Sequence, residues 1–181
     1  AMGALRLRLG HDLKKIEAGW KPVWVVDFPL LGRDVETGRW HSEHHPFTAP
    51  SDEDLELLDE SPATVRALAY DLVLNGSEIG GGSVRIHDAL LQQRIFKLLN
   101  ISDDEARDRF GFFLDALQYG TPPHGGIALG LDRIVALLAG ESSIRDVMAF
   151  PKTSATVDLM AGAPSDVDRQ QLRDLHLEGP S

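Results

Sequence analysis

The chain has 181 residues, 43% of them hydrophobic and 25% charged, with no cysteine and a formal net charge of −10. This is the profile of one globular domain with a sizeable core. It excludes disulfides, thiolate zinc sites and cysteine nucleophiles, and it argues against a chain that grips a nucleic-acid backbone by itself, which takes a basic surface. No apolar run approaches the roughly 20 residues of a membrane helix and no basic-then-apolar leader is visible, so the expectation is a cytoplasmic protein without a membrane partner.

In chain order, Leu5, Leu7 and Leu9 alternate with Arg6 and Arg8, a spacing that predicts a half-buried strand. Lys14 to Lys21 reads as a connector, and Pro22 opens the β-rich run Val23 to Phe28, expected to be a central strand of the core sheet. A turn over Asp34–Gly38 precedes the histidine-rich segment His41 to Thr48. Its histidines read as hydrogen-bond donors in a loop rather than as a zinc site, and the adjacent His44 and His45 suit an anionic substrate. Ser51 and Asp54 have capping-box spacing at the head of an acidic helix through Leu58, and Ser61-Pro62 opens another short helix.

Asn75-Gly76, set between two β-rich runs, predicts a two-residue hairpin because both residues tolerate the positive φ of a type I′ turn. The register that follows pairs Leu74 with Ser77, Val73 with Glu78, Leu72 with Ile79 and Asp71 with Gly80. It puts Asp71 and Glu78 diagonally on one sheet face, with backbones about 7 to 8 Å apart. Two carboxylates so placed can hold a hydrated magnesium ion, although solvent-facing strand residues would look the same. Arg85 has the opposite parity to Glu78, so a β-bulge is expected within Gly80 to Gly82 to bring it to the same face.

Asp88 is the expected cap of a helix ending at Asn100, and Ser102 with Glu105 caps a second helix, with apolar Phe110, Phe113, Leu114 and Leu117, that Gly120 stops. After Thr121-Pro122-Pro123-His124, a strand is expected to deliver Gly130, Leu131, Asp132 and Arg133 to a helix start. There the guanidinium can stack on a planar ring or pair with phosphate oxygens. Met148 to Thr153 reads as a short strand, Gly162 to Ser165 as a turn, and Ser165 as the cap of a last polar helix.

These segments together resemble one family. Trp24-Val-Val-Asp-Phe-Pro29, His44-His-Pro-Phe-Thr48, Tyr70-Asp71, Glu78-Ile-Gly-Gly-Gly-Ser-Val-Arg85-Ile-His87, Phe110-Gly-Phe112, Tyr119-Gly-Thr-Pro-Pro-His-Gly-Gly126, Gly130-Leu-Asp-Arg133 and Ile144 to Lys152 are similar to the C-terminal half of the catalytic domain of bacterial-type aspartyl-tRNA synthetases. The resemblance implies an α+β fold, a partial class II aminoacyl-tRNA synthetase core with an antiparallel sheet flanked by helices. Residues 1–21 would be the end of an insertion domain and a connector, and 22–181 the C-terminal part of the catalytic domain. The implied reaction activates L-aspartate with ATP and Mg2+ and passes it to tRNA, in a homodimeric parent enzyme.

On the matching positions the resemblance implies that Arg133 stacks on adenine and reaches the γ-phosphate, with Gly130, Leu131 and Asp132 beneath the nucleotide. Asp71 and Glu78 would hold the metal, Glu78 also contacting ATP and serving catalysis with Arg133. Arg85 would take the aspartate side chain, with His44, His45 and Ser83 beside it. The resemblance further implies a fragment, inactive alone, because the family's anticodon-binding barrel and first two class motifs have no counterpart in these residues. The alternative is a non-catalytic paralogue, a small-molecule sensor or protein-interaction module. Asparagine or lysine as substrate is a third reading, disfavoured by the charge of Arg85.

Overall fold

The computed structural model describes residues 2–166 and 169–177. The described chain forms two compact units with the boundary between Leu131 and Asp132, where composition alone suggested one domain.

The first unit opens with helix α1 (Met2–Asp12), in place of the expected strand. Its leucines at 5, 7 and 9 are each about half exposed. Alternation is a strand signal only when a partner strand takes one face. Leucine and arginine are both good helix formers, and no β-branched residue resists the helix here. Arg8 Nε donates to Asp12 one turn on, at 2.7 Å.

Four antiparallel strands form the main sheet in the order β1 (Pro22–Val25), β4 (Ala69–Leu74), β5 (Ser77–Val84), β6 (Gly125–Leu129). A separate two-stranded ribbon pairs β2 (Leu31–Arg33) with β3 (Trp40–Ser42). The run from Val23 was expected in the middle of the sheet. It is instead an outer strand, exposed along its length, and it ends where Asp27 takes a left-handed φ of 59°. Apolar content marks a strand as sheet-forming without saying how many neighbours it has.

Asn75 (φ 50°) and Gly76 (φ 85°) form the predicted hairpin turn between β4 and β5. Leu74↔Ser77 and Val73↔Glu78 pair as expected. Beyond them the register shifts, to Leu72↔Gly80 and Asp71↔Gly81, so the bulge lies at Ile79, one residue before the glycine run. Ile79 is bound from the other side: its carbonyl accepts the N–H of Gly130 at 2.8 Å, and its side chain is buried. The glycines serve another purpose. None of Gly80 to Gly82 has positive φ, but a Cβ at Gly82 would meet the Gly126 carbonyl and one at Gly81 would lie 2.5 Å from Asp71 Oδ1. They permit close approach of β4 and β6 to β5 rather than a special backbone conformation.

Local signals elsewhere are mixed. Asp88 accepts the N–H of Leu91 at 2.7 Å to cap α3 (Ala89–Leu98), and Ser102 accepts that of Glu105 at 3.2 Å to cap α4 (Asp103–Leu117). Asn100 and Gly120 follow these helices with positive φ. Ser51 makes no side-chain cap. Its acidic segment is a 3-10 turn (Asp52–Asp54), then the single helical turn α2 (Leu57–Glu60), because Asp54 folds back to Arg66 instead of leading a helix. Pro62–Thr64 is likewise a 3-10 turn, uncapped by Ser61. The core collects Leu30, Leu31, Leu58, Val65, Ala67, Ala69, Ile86 and Ile95, with Leu58 fully buried.

The chain passes from β6 through Gly130 into α5 (Leu131–Ala139), as the sequence predicts. In the second unit Ser143 caps a 3-10 turn at Ile144–Asp146. The strand expected at Met148 to Thr153 does not form: those residues have no strand partner, and Phe150 is 65% exposed. Helix α6 is described over Arg169–Asp174, and residues 167 and 168 between it and its expected cap, Ser165, lie outside the described residues.

Candidate functional site

The bulge at Ile79 decides what faces the cavity side of the sheet. Glu78 stands opposite Val73 and therefore shares its face with Asp71. Across the bulge, Gly81 stands opposite Asp71 and Ser83 opposite Ala69, so Ser83 and then Arg85 emerge on that same face. The predicted parity change thus occurs, one residue earlier than expected. Asp71, Glu78, Ser83 and Arg85 line one cavity of about 380 Å³, together with His44 and His45 from the loop above and the backbone-thin floor of Gly81, Gly82 and Ala128. Six of the ten residues singled out from the sequence meet there.

The histidine loop is held over this floor by packing and by one buried amide. The Phe47 ring meets Phe96 of α3 and Phe110 and Phe113 of α4 edge-on, with centroids 6.2, 5.2 and 4.8 Å away. Gln92, fully buried on α3, donates through Nε2 to the Pro46 carbonyl at 2.8 Å. Loop and sheet are joined by backbone bonds from Ile86 N–H to Phe47 O and from Ala49 N–H to Val84 O, each 2.9 Å.

Arg85 is held by neutral groups. Its Nη1 donates to Ser83 Oγ at 2.8 Å and to His45 Nδ1 at 3.2 Å, and its backbone N–H donates to the His124 carbonyl at 2.9 Å. Thr48, buried to 1% exposure, donates to Ser83 Oγ at 3.5 Å. No carboxylate of the described residues forms an ion pair with Arg85. Arg66 is the contrast: it is gripped by Asp54 at 2.8 Å and Glu53 at 2.8 Å and needs no further anion. Burial, then the neighbouring Arg85 and His44, hold His45 below the usual imidazole range, so its neutral form prevails.

For a metal, the donors present are the two carboxylates Asp71 and Glu78. The described residues contain no cluster of three or more His, Cys, Asp or Glu able to cage an ion. That set fits magnesium, which keeps several waters and takes substrate oxygens besides one or two carboxylates, better than an ion that needs an all-protein cage. Gly81 leaves the space Asp71 occupies.

Gly130, Leu131, Asp132 and Arg133 form the passage from β6 into α5, and this passage crosses the boundary between the two units. Gly130 is tied to the bulge through Ile79 O, while Leu131 to Arg133 are the first turn of α5. Sequence reasoning missed Thr48 and Gln92. A polar residue between Leu91 and Ile95 on an otherwise apolar helix face was the visible sign of Gln92.

The fold is similar to solved tRNA synthetases. Against the aspartyl-tRNA synthetase of Entamoeba histolytica the TM-score is 0.60 at 22% identity, over 86% of this chain and 27% of that one. The asparaginyl-tRNA synthetase of the same organism, in complex with asparaginyl-adenylate, gives 0.56 at 23% identity over 76% and 26%. That of Pyrococcus horikoshii gives 0.54 at 22% over 80% and 33%. The chain thus spans about a quarter to a third of the length of these structures. Residues 3–154 match the family model of class II tRNA synthetases (D, K and N), and the chain belongs to that family.

Proposed function

We propose that the chain is the C-terminal half of the catalytic domain of a bacterial-type aspartate–tRNA ligase, whose parent enzyme activates L-aspartate with ATP and Mg2+ and transfers it to tRNA as a homodimer. Residues 1–21 are the end of an insertion domain in this reading, and the isolated chain is inactive. The observation that carries the choice of amino acid is Arg85, a partly buried cation held by neutral acceptors without an ion pair among the described residues. An aspartate side chain supplies the missing anion by a bidentate contact. Asparagine would leave that charge poorly matched, and lysine would add a second cation.

His44 lies over the amino acid. Asp71 and Glu78 hold the Mg2+ ion, which when bound neutralises phosphate charge. Arg133 stacks on the adenine and reaches the γ-phosphate, with Gly130, Leu131 and Asp132 beneath the nucleotide. Chemistry of this type rests on positioning and charge stabilisation at the α-phosphate and takes no covalent nucleophile.

The test is amino-acid-dependent ATP–pyrophosphate exchange by the longest product of the reading frame. Aspartate should support exchange, and asparagine and lysine should not. Arg85→Leu should weaken use of aspartate by about 2–5 kcal/mol, roughly 30-fold to several thousand-fold, while leaving the KM for ATP nearly unchanged. Equal losses for both substrates refute the assignment of Arg85. Exchange by the isolated 181-residue chain refutes its inactivity.

A further inference from the structure

The same resemblance that makes Arg85 a carboxylate reader places His45 beside the amino acid as a ligand. The hydrogen bonds assign it a different task. His45 Nδ1 receives the backbone N–H of Phe47 at 3.2 Å and the Arg85 Nη1 at 3.2 Å. A peptide N–H and a guanidinium can only donate, so Nδ1 must carry a lone pair and any imidazole proton must sit on Nε2. Arg85 Nη1 has two hydrogens; Ser83 Oγ takes one and His45 Nδ1 the other. With Nη1 saturated, the edge formed by Nε and Nη2 has no hydrogen-bond partner among the described residues, and that edge has the two parallel N–H bonds that match a carboxylate.

We infer that His45 is a positioning residue rather than an amino-acid ligand: as the neutral Nε2–H tautomer it fixes Nη1 of Arg85, with Ser83, so that the Nε–Nη2 edge is presented to the carboxylate. Thr48 closes the cluster from the buried side, its Oγ1 lying 3.3 Å from His45 Nδ1 and 3.5 Å from Ser83 Oγ, and its one hydroxyl proton suits either acceptor. The other ionisable groups around the cavity are His44, Asp71 and Glu78, and His124 lines a second cavity shared with His45 and Arg85. The lowered proton affinity of His45 agrees with the assignment, since an imidazolium would lose the acceptor and repel the guanidinium. The inference rests on the carboxylate reading of Arg85 only for what the free edge binds, not for how the edge is held.

The experiment is NMR on the full chain labelled with 15N at histidine and arginine side chains, at mildly alkaline pH and without ligand. The expected result is an unprotonated Nδ1 and protonated Nε2 at His45, together with separate Nη1 and Nη2 signals for Arg85 because rotation about its guanidinium bonds is hindered. His45→Leu should average those signals. His45→Asn, whose Oδ1 offers an acceptor near the position of Nδ1, should restore them, which a merely space-filling role would not achieve. A proton on Nδ1 in the unsubstituted chain, a measurement that needs no variant to fold, overturns the proposal. So does an Arg85 spectrum indifferent to His45→Leu. Titrating L-aspartate into the same samples separates the two readings. Shifts at Nε and Nη2 support the edge assignment, and shifts confined to Nη1 overturn it. No response to aspartate, with the tautomer and the hindered rotation intact, counts against the aspartate-ligase reading alone.

Discussion

Replacing Gly82 by alanine tests whether the glycine run exists for close packing of strands. Gly82 has no positive φ, so alanine meets no backbone strain and should gain up to about 1 kcal/mol from a stiffer unfolded chain. Against this, the new Cβ would collide with the carbonyl of Gly126, which is backbone of β6 and has no rotamer to change. Overpacking of this kind costs about 1–3 kcal/mol. Separating the strands also weakens ladder bonds around Gly82↔Ile127 and Ser83↔Gly126, worth about 0.5–1.5 kcal/mol each. The net expectation is a loss of about 2–3 kcal/mol, read as a lower urea midpoint with the m-value unchanged. Gly81→Ala is the internal control. Its Cβ meets the tip of the Asp71 side chain, which can swing away, so stability should change by less than about 1 kcal/mol. A Gly82→Ala midpoint equal to or above that of the unsubstituted chain refutes the close-approach argument.

The side chain and then the backbone N–H of Arg66 hold the Asp54 carboxyl below its usual 3.8. A folded pKa below the unfolded one means stabilisation that is complete above that usual value and disappears as pH falls through the folded pKa. Asp54→Asn should therefore be less stable than the unsubstituted chain at neutral pH, with the gap closing in acid; a constant gap in denaturation midpoints across that range would refute the linkage. Asn75→Ala should cost about 1–3 kcal/mol in thermal unfolding. Alanine tolerates the left-handed φ of 50° poorly, and two bonds to the preceding connector are lost, from Lys21 N–H at 2.8 Å and to Gly19 O at 3.1 Å. Asn75→Gly should recover the backbone part only. Leu58→Ala, at a fully buried position, should cost about 2–5 kcal/mol by the same measurement.

What could be read from the sequence was whatever a few neighbouring residues decide. The Asn75-Gly76 turn, the Asp88 and Ser102 caps and the stops after α3 and α4 depend on local conformational preference and local hydrogen bonds, and each is present. Properties set by distant partners were misread. Leu5 to Leu9 has strand-like alternation but no strand beside it, and the Val23 run has strand composition but only one neighbour. The bulge shows both cases at once. The need for Arg85 to share a face with Glu78 could be inferred from chemistry, but its placement at Ile79 depends on the Gly130 N–H some fifty residues later. His45 was legible as a candidate site residue, but not the acceptor position of its Nδ1, which follows from where Arg85 and the Phe47 amide point.

The displaced pairing at Ile79 also determines which length changes this strand can survive. Glu78 and Arg85 are separated by an odd number of steps, and a single out-of-register residue reconciles them. Inserting one residue between Gly81 and Ser83 would turn Ser83 and Arg85 to the opposite side of the sheet while leaving every side chain chemically intact. Removing Ile79 would do the reverse, regularising the ladder and keeping both acids and Arg85 on one side, at the cost of the anchor for Gly130. The strand is therefore more sensitive to the count of its residues than to the identity of most of them. A silent shift of one position would separate Ser83 and Arg85 from Asp71 and Glu78 across the sheet as completely as deleting either pair.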